Sequence, residues 1–124
     1  MSSETLSLIM LNVILTAVGQ ILLKAGTVSS PVQAAMAGGE WVAKGTAILS
    51  EPIIWAGFGA YGASLLLWLV VLARIPVSSA YPFVALSIAL TSVAGALLFR
   101  DGFSSAKLFG TLLILLGVAT LSRG

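Results

Sequence analysis

Hydrophobic residues fill four long stretches of the chain, at about residues 5–25, 52–73, 76–99 and 104–121, and polar residues collect between them. Crossing about 30 Å of hydrocarbon takes roughly 20 helical residues, so each stretch predicts a transmembrane helix. Pro52 opens the second stretch in the first helical turn, where a missing N–H leaves no bond unmade. Ser104 and Ser105 stand as N-caps before the fourth, just after the turn-forming pair Asp101-Gly102. The links Arg74-Ile75 and Arg100-Asp101-Gly102-Phe103 are so short that spans two, three and four must run antiparallel to their neighbours. The expected fold is an all-α membrane protein: one domain over residues 1–124, with four transmembrane helices in a bundle. Residues 27–51 break the pattern. Pro31, Gly38 and Gly39 punctuate them, and they predict a loop carrying one or two short interfacial helices, with Trp41 and Trp55 at headgroup depth. The amino-terminal residues lack the basic region of a signal peptide, and the first apolar stretch is too long for one, so it reads as a retained span.

The interruptions within the spans carry the chemistry. Asn12, Thr16, Gln20 and Lys24 recur every four residues in span one, which places them in one slowly drifting stripe on a helix. Such a stripe is costly against lipid and is expected to face protein or a wet cavity. Lys24, near the span end, has two readings: snorkelling to the interface, or an ammonium at the mouth of an amide-lined groove that attracts phosphate. In span three, Pro76 suits a first helical turn, whereas Pro82 removes the bond to the Ser78 carbonyl and predicts a kink beside Tyr81. Ser87, Thr91 and Ser92 extend the polar content deeper. The glycines of span two, among them Gly57, Gly59 and Gly62, predict close helix packing. Gly110 and Gly117 share a face of span four and form a candidate dimer interface, because four thin helices enclose little volume by themselves.

Composition sharpens this picture. Hydrophobic residues make up 59% of the 124 positions and charged residues 8%, against about a quarter charged in soluble domains. The chain has no cysteine and no histidine, which removes thiolate and imidazole metal sites and most catalytic constellations, and no cofactor or metal is expected. The net charge of +2 has none of the clustering that nucleic acid requires. No acidic residue falls within a span. Lys24, Lys44, Arg100 and Lys107 fall on one side, and Arg74 and Arg123 on the other, so positive-inside counting places both termini outside. Such a small bias is also compatible with dual insertion, or with pairing to an oppositely inserted partner.

The segment from Ala17 to Ala25, AVGQILLKA, and the segment from Trp68 to Pro82, WLVVLARIPVSSAYP, resemble the first span and the span two–three bridge of EamA-type four-helix members of the drug/metabolite transporter superfamily. The Gly110–Gly117 pair is similar to their glycine pattern. Small multidrug resistance exporters share the skeleton but place a glutamate eight residues before the first-span lysine, where this chain has Thr16, and they carry alanine after the alanine-tyrosine pair, where this chain has Pro82. A cationic drug needs an anionic partner in the membrane, so both departures argue against that export chemistry. The nearer resemblance is to the paired small subunits of undecaprenyl-phosphate-aminoarabinose flippases. It implies a flippase at the bacterial inner membrane that moves a polyprenyl-phosphate-linked sugar for lipid A or envelope glycan modification. It also implies an antiparallel homodimer or a heterodimer with a similar subunit. On that reading Lys24 attracts the phosphate, while Gln20, Thr16, Asn12, Tyr81 and the Ser78 carbonyl hydrogen-bond the headgroup. Arg74 and Arg100 make first contact at the span ends. The alternatives are a small multidrug resistance-type exporter of small solutes and a non-transporting membrane subunit of a glycosyltransferase.

Overall fold

The computed structural model describes residues 2–100, 102, 104–121 and 123. These form helices and turns, with no strand among the described residues: α1 (Ser3–Thr27), α2 (Ser30–Ala37), α3 (Trp41–Leu49), α4 (Pro52–Arg74), α5 (Val77–Ala80), α6 (Pro82–Phe99) and α7 (Ser105–Leu121). Local chemistry sets their ends. The Ser2 hydroxyl caps α1 by accepting from the Thr5 N–H at 3.1 Å. Glu4 in the first turn and Lys24 in the last complement the helix dipole. The Ser104 hydroxyl accepts from the Lys107 N–H at 3.2 Å and caps α7. Before it, Arg100 ends α6 in the left-handed region at φ 53°, and Gly102 sits at φ 77°. Asp101 and Phe103, which complete the expected four-residue link, lie outside the described residues.

Pro82 interrupts the third apolar stretch, because it has no N–H to give Ser78. The Tyr81 N–H donates to the Val77 carbonyl at 2.8 Å, and the next bond in register is a tighter one, from the Val84 N–H to the Tyr81 carbonyl at 2.9 Å. The chain therefore divides into α5 and α6 at this point. Taken together, residues 77–99 are long and apolar enough to cross a membrane, as are α1 and α4. The fourth helix, α7, is shorter: its 17 residues rise about 26 Å, the low end of what a span needs.

Helix α1 is the central element. It lies antiparallel to α4, with Glu4 near Arg74, Asn12 against Ser64, and Gly26 against Ile54. The two backbones approach closely because glycines line the seam. A Cβ on Gly19 would sit 3.1 Å from the Tyr61 backbone nitrogen, and one on Gly57 would sit 3.0 Å from that of Leu23. On another side α1 packs against α6, and α6 in turn against α7. All four long elements converge at the Glu4–Arg74 end, where Ile9, Val13, Val71, Ala80, Phe83 and Val118 form one buried cluster. Elsewhere the bundle presents large apolar side chains outward; Leu66, Leu97 and Leu116 are each about two-thirds exposed or more. Such a surface is stable against lipid rather than water.

The connection from α1 to α4 folds into the short helices α2 and α3 at the opposite end. The Gln33 amide donates to the Thr27 carbonyl at 2.7 Å and ties α2 to the end of α1. The Trp55 indole N–H donates to the Leu49 carbonyl at 2.7 Å and ties α3 to α4. The Lys44 ammonium lies 4.3 Å from the ring centre of Trp41.

Candidate functional site

The polar stripe of α1 is divided between two cavities. Gln20 and Lys24 line the larger one, of about 520 Å³, between α1, α6 and α7 toward the end of the bundle that carries α2 and α3. Facing them are Thr91 and Ser92 from α6, and Lys107 and Thr111 from α7. Gly95 and Gly110 leave room on either side. Lys107 is held by the capped first turn of α7, and its ammonium donates to the Gly102 carbonyl at 3.3 Å. The Thr111 hydroxyl donates to the Lys107 carbonyl at 2.8 Å. Two ammonium groups thus share one cavity, and no acidic side chain lines it among the described residues. The partial positive charge at the start of α7 adds to theirs. The Lys24 ammonium and the Gln20 amide have no hydrogen-bond partner among the described residues, and both residues are exposed.

Asn12 and Thr16 line a second cavity, of about 220 Å³, between α1, α4 and α6. Its other walls are Tyr61, Ser64, Leu65 and Trp68 from α4 and Val84 and Ser87 from α6. Asn12 is buried, and its amide donates to the Ser64 carbonyl across the α1–α4 seam. Ser64 and Ser87 turn their hydroxyls to the carbonyls of Tyr61 and Val84 in their own helices. Asn12 therefore has a packing role in addition to its place in the cavity wall.

The remaining candidates are dispersed. Tyr81 is exposed and lines neither cavity; its ring meets Trp68 edge-on at 6.4 Å between centroids. Ser78 is exposed on α5. Arg74 lies at the far end of the bundle from Lys24 and forms an exposed ion pair with Glu4 at 3.2 Å. Arg100 is exposed at the end of α6 and is not part of the cavity wall. Gly110 borders the lysine cavity, Gly117 is exposed, and a Cβ on either would meet nothing within 4 Å among the described residues. Lys107, Thr91, Ser92 and Thr111 join Lys24 only in the folded chain. The Lys107–Thr111 pair repeats the four-residue spacing of Gln20 and Lys24, and that spacing is the signal by which α7 announces its polar face.

Long apolar helices enclosing a cationic, amide- and hydroxyl-lined cavity define a small multi-pass helical membrane protein with a polar site between its helices. No protein-family model matches the chain, and no solved structure matches it. Among curated proteins, the chain is 42% identical over 78 residues to the probable 4-amino-4-deoxy-L-arabinose-phosphoundecaprenol flippase subunit ArnE of Pseudomonas aeruginosa, covering 63% of this chain and 68% of that one. It is 34% identical over 124 aligned residues to the probable flippase subunit ArnF of Pseudomonas paraeruginosa, covering 87% of this chain and 82% of that one. The chain belongs to the ArnE/ArnF family of small flippase subunits.

Proposed function

We propose that this chain is a subunit of an inner-membrane flippase that translocates a polyprenyl-phosphate-linked sugar, of the kind named for its relatives, undecaprenyl-phosphate-linked 4-amino-4-deoxy-arabinose. Such a subunit serves lipid A or envelope glycan modification and performs transport rather than catalysis. The observation that carries this reading is the cavity shared by Lys24 and Lys107 with Gln20, Thr91, Ser92 and Thr111. A phosphodiester is a compact anion that accepts charge-assisted hydrogen bonds, and two ammonium groups flanked by Gln20, Thr91 and Ser92 supply donors of that type. The cavity's 520 Å³ accommodates a headgroup but not a polyprenyl chain, which stays among the exposed leucines in the bilayer. Movement follows the lipid's own gradient, since span one has Thr16 where a proton-coupling carboxylate would stand.

The partner is a second small subunit, either another copy or a related chain, inserted in the opposite sense. The open Cβ positions of Gly110 and Gly117 on α7 support helix–helix approach on that face.

Reconstitution in proteoliposomes with a fluorescent or isotopically labelled undecaprenyl-phospho-aminoarabinose tests the assignment. Lys24→Ala and Lys107→Ala each remove a charged donor worth about 1.5–3 kcal/mol and are expected to lower the transport rate roughly ten- to a hundredfold. Wild-type vesicles that move no lipid, or a Lys24→Ala protein as active as wild type, would overturn it. Selective transport of a quaternary ammonium compound would instead favour an exporter.

A further inference from the structure

The smaller cavity has a different chemistry from the lysine cavity, and the difference points to a division of labour. Among the described residues its wall contains no charged one: Thr16, Asn12, Tyr61, Ser64 and Ser87 supply polar groups, and Leu65, Val84 and the half-buried Trp68 supply apolar surface. The Thr16 hydroxyl has no hydrogen-bond partner among the described residues. A small, mostly apolar pocket with a few oriented polar groups is a ligand site in miniature; drug-sized sites begin at roughly 300 Å³, and this one holds about 220 Å³. The two cavities share no lining residue, but they follow one another along α1, where Gln20 of the larger and Thr16 of the smaller lie one helical turn apart, a rise of about 6 Å. Lys24 stands two turns, about 12 Å, from Thr16, a distance spanned jointly by a lysine side chain leaning toward the helix N-terminus and a phosphate with one sugar ring attached.

We infer that the neutral cavity is a carbohydrate subsite: it takes the sugar ring of the lipid headgroup while the phosphate rests between Lys24 and Lys107. The Thr16 hydroxyl and the Asn12 amide oxygen meet ring hydroxyls, and the indole of Trp68 covers the ring's C–H face. Tyr81 is a positioning residue: its edge-on contact holds the Trp68 ring in place, although it lines neither cavity. The inference rests on the proposed lipid-linked sugar cargo and adds to it the means of telling a glycosylated carrier from a bare one.

The test compares binding of two probes to the purified protein in nanodiscs: undecaprenyl phosphate and undecaprenyl-phospho-aminoarabinose. Wild type is expected to prefer the glycosylated lipid. Thr16→Val keeps the side chain's volume and removes its hydroxyl, so it is expected to weaken the glycosylated lipid about fivefold, the loss of one hydrogen bond, and to leave the bare lipid within twofold. Lys24→Ala is expected to weaken both. With Trp41 and Trp55 replaced by Phe, the emission of Trp68 is expected to respond to the glycosylated lipid alone. A Thr16→Val protein that retains the full preference, or that loses both lipids equally, overturns the carbohydrate subsite. A Lys24→Ala protein that binds both lipids as wild type does overturns the phosphate site instead, so the two failures are distinguishable.

Discussion

Asn12 illustrates what a polar side chain does inside an apolar bundle. Its amide is committed to the Ser64 carbonyl, a bond between neighbouring helices that membranes reward by about 0.6–2 kcal/mol. Thr16, one turn along, makes no such bond and faces a cavity instead. The four-residue spacing shows in the sequence that these residues share a face with Gln20 and Lys24. What it does not show is that the stripe is shared between two cavities, because that depends on where α4, α6 and α7 lean against α1. Lys107 was legible only as a span-end charge for the same reason. The glycines separate just as sharply by context. Gly57→Ala would push a methyl to within 2.8 Å of the Leu23 side chain and 3.0 Å of its backbone nitrogen, and backbone cannot yield as a side-chain tip can. We expect a loss of about 1–3 kcal/mol from overpacking. Gly59→Ala meets nothing within 4 Å and is expected to be neutral or, through helix propensity, stabilising by up to about 1 kcal/mol. Unfolding of the two variants in detergent micelles, followed by circular dichroism, measures the contrast; equal effects would mean that the α1–α4 seam is looser than the structure has it.

At the scale of elements, the apolar stretches disclose the all-helical class, since only a helix satisfies its own backbone in lipid without closing a barrel. The Pro82 interruption is equally legible, because the missing N–H is a covalent fact. Its replacement is informative. Pro82→Ala restores a donor opposite the Ser78 carbonyl and is expected to join α5 and α6 into one continuous helix. Hydrogen exchange read by mass spectrometry should then show new protection across residues 82–84. Unchanged exchange would assign the break to packing rather than to proline. Less legible were the elements whose form depends on neighbours. Helices α2 and α3 are 8 and 9 residues long, too short to stand alone in water, and they are held by Gln33 and Trp55 reaching to backbone carbonyls.

For the molecule as a whole, charge is distributed along the axis. Lys24, Lys44, Arg100 and Lys107 belong to the end that carries α2 and α3, whereas Arg74 and Arg123 belong to the other, where Arg74 is paired with Glu4. Positive-inside counting therefore expects the α2–α3 end in the cytoplasm and the termini outside. The chain lacks cysteine, so single replacements give a clean test. An impermeant maleimide applied to intact spheroplasts should label Ser3→Cys and not Gly39→Cys; the reverse pattern inverts the topology, and equal labelling indicates insertion in both senses.

The glycine-lined seam has a mechanical consequence. Helices α1 and α4 touch backbone to backbone and are pinned by Asn12, so they form a single beam with little freedom to slide. Helix α7 leans on α6 and reaches the buried cluster through Val118. The least packed joint is consequently the one between α7 and the rest of the bundle, where the lysine cavity lies. Any stroke that admits or releases cargo would work that joint like the jaw of a wrench, with the α1–α4 beam as its fixed arm.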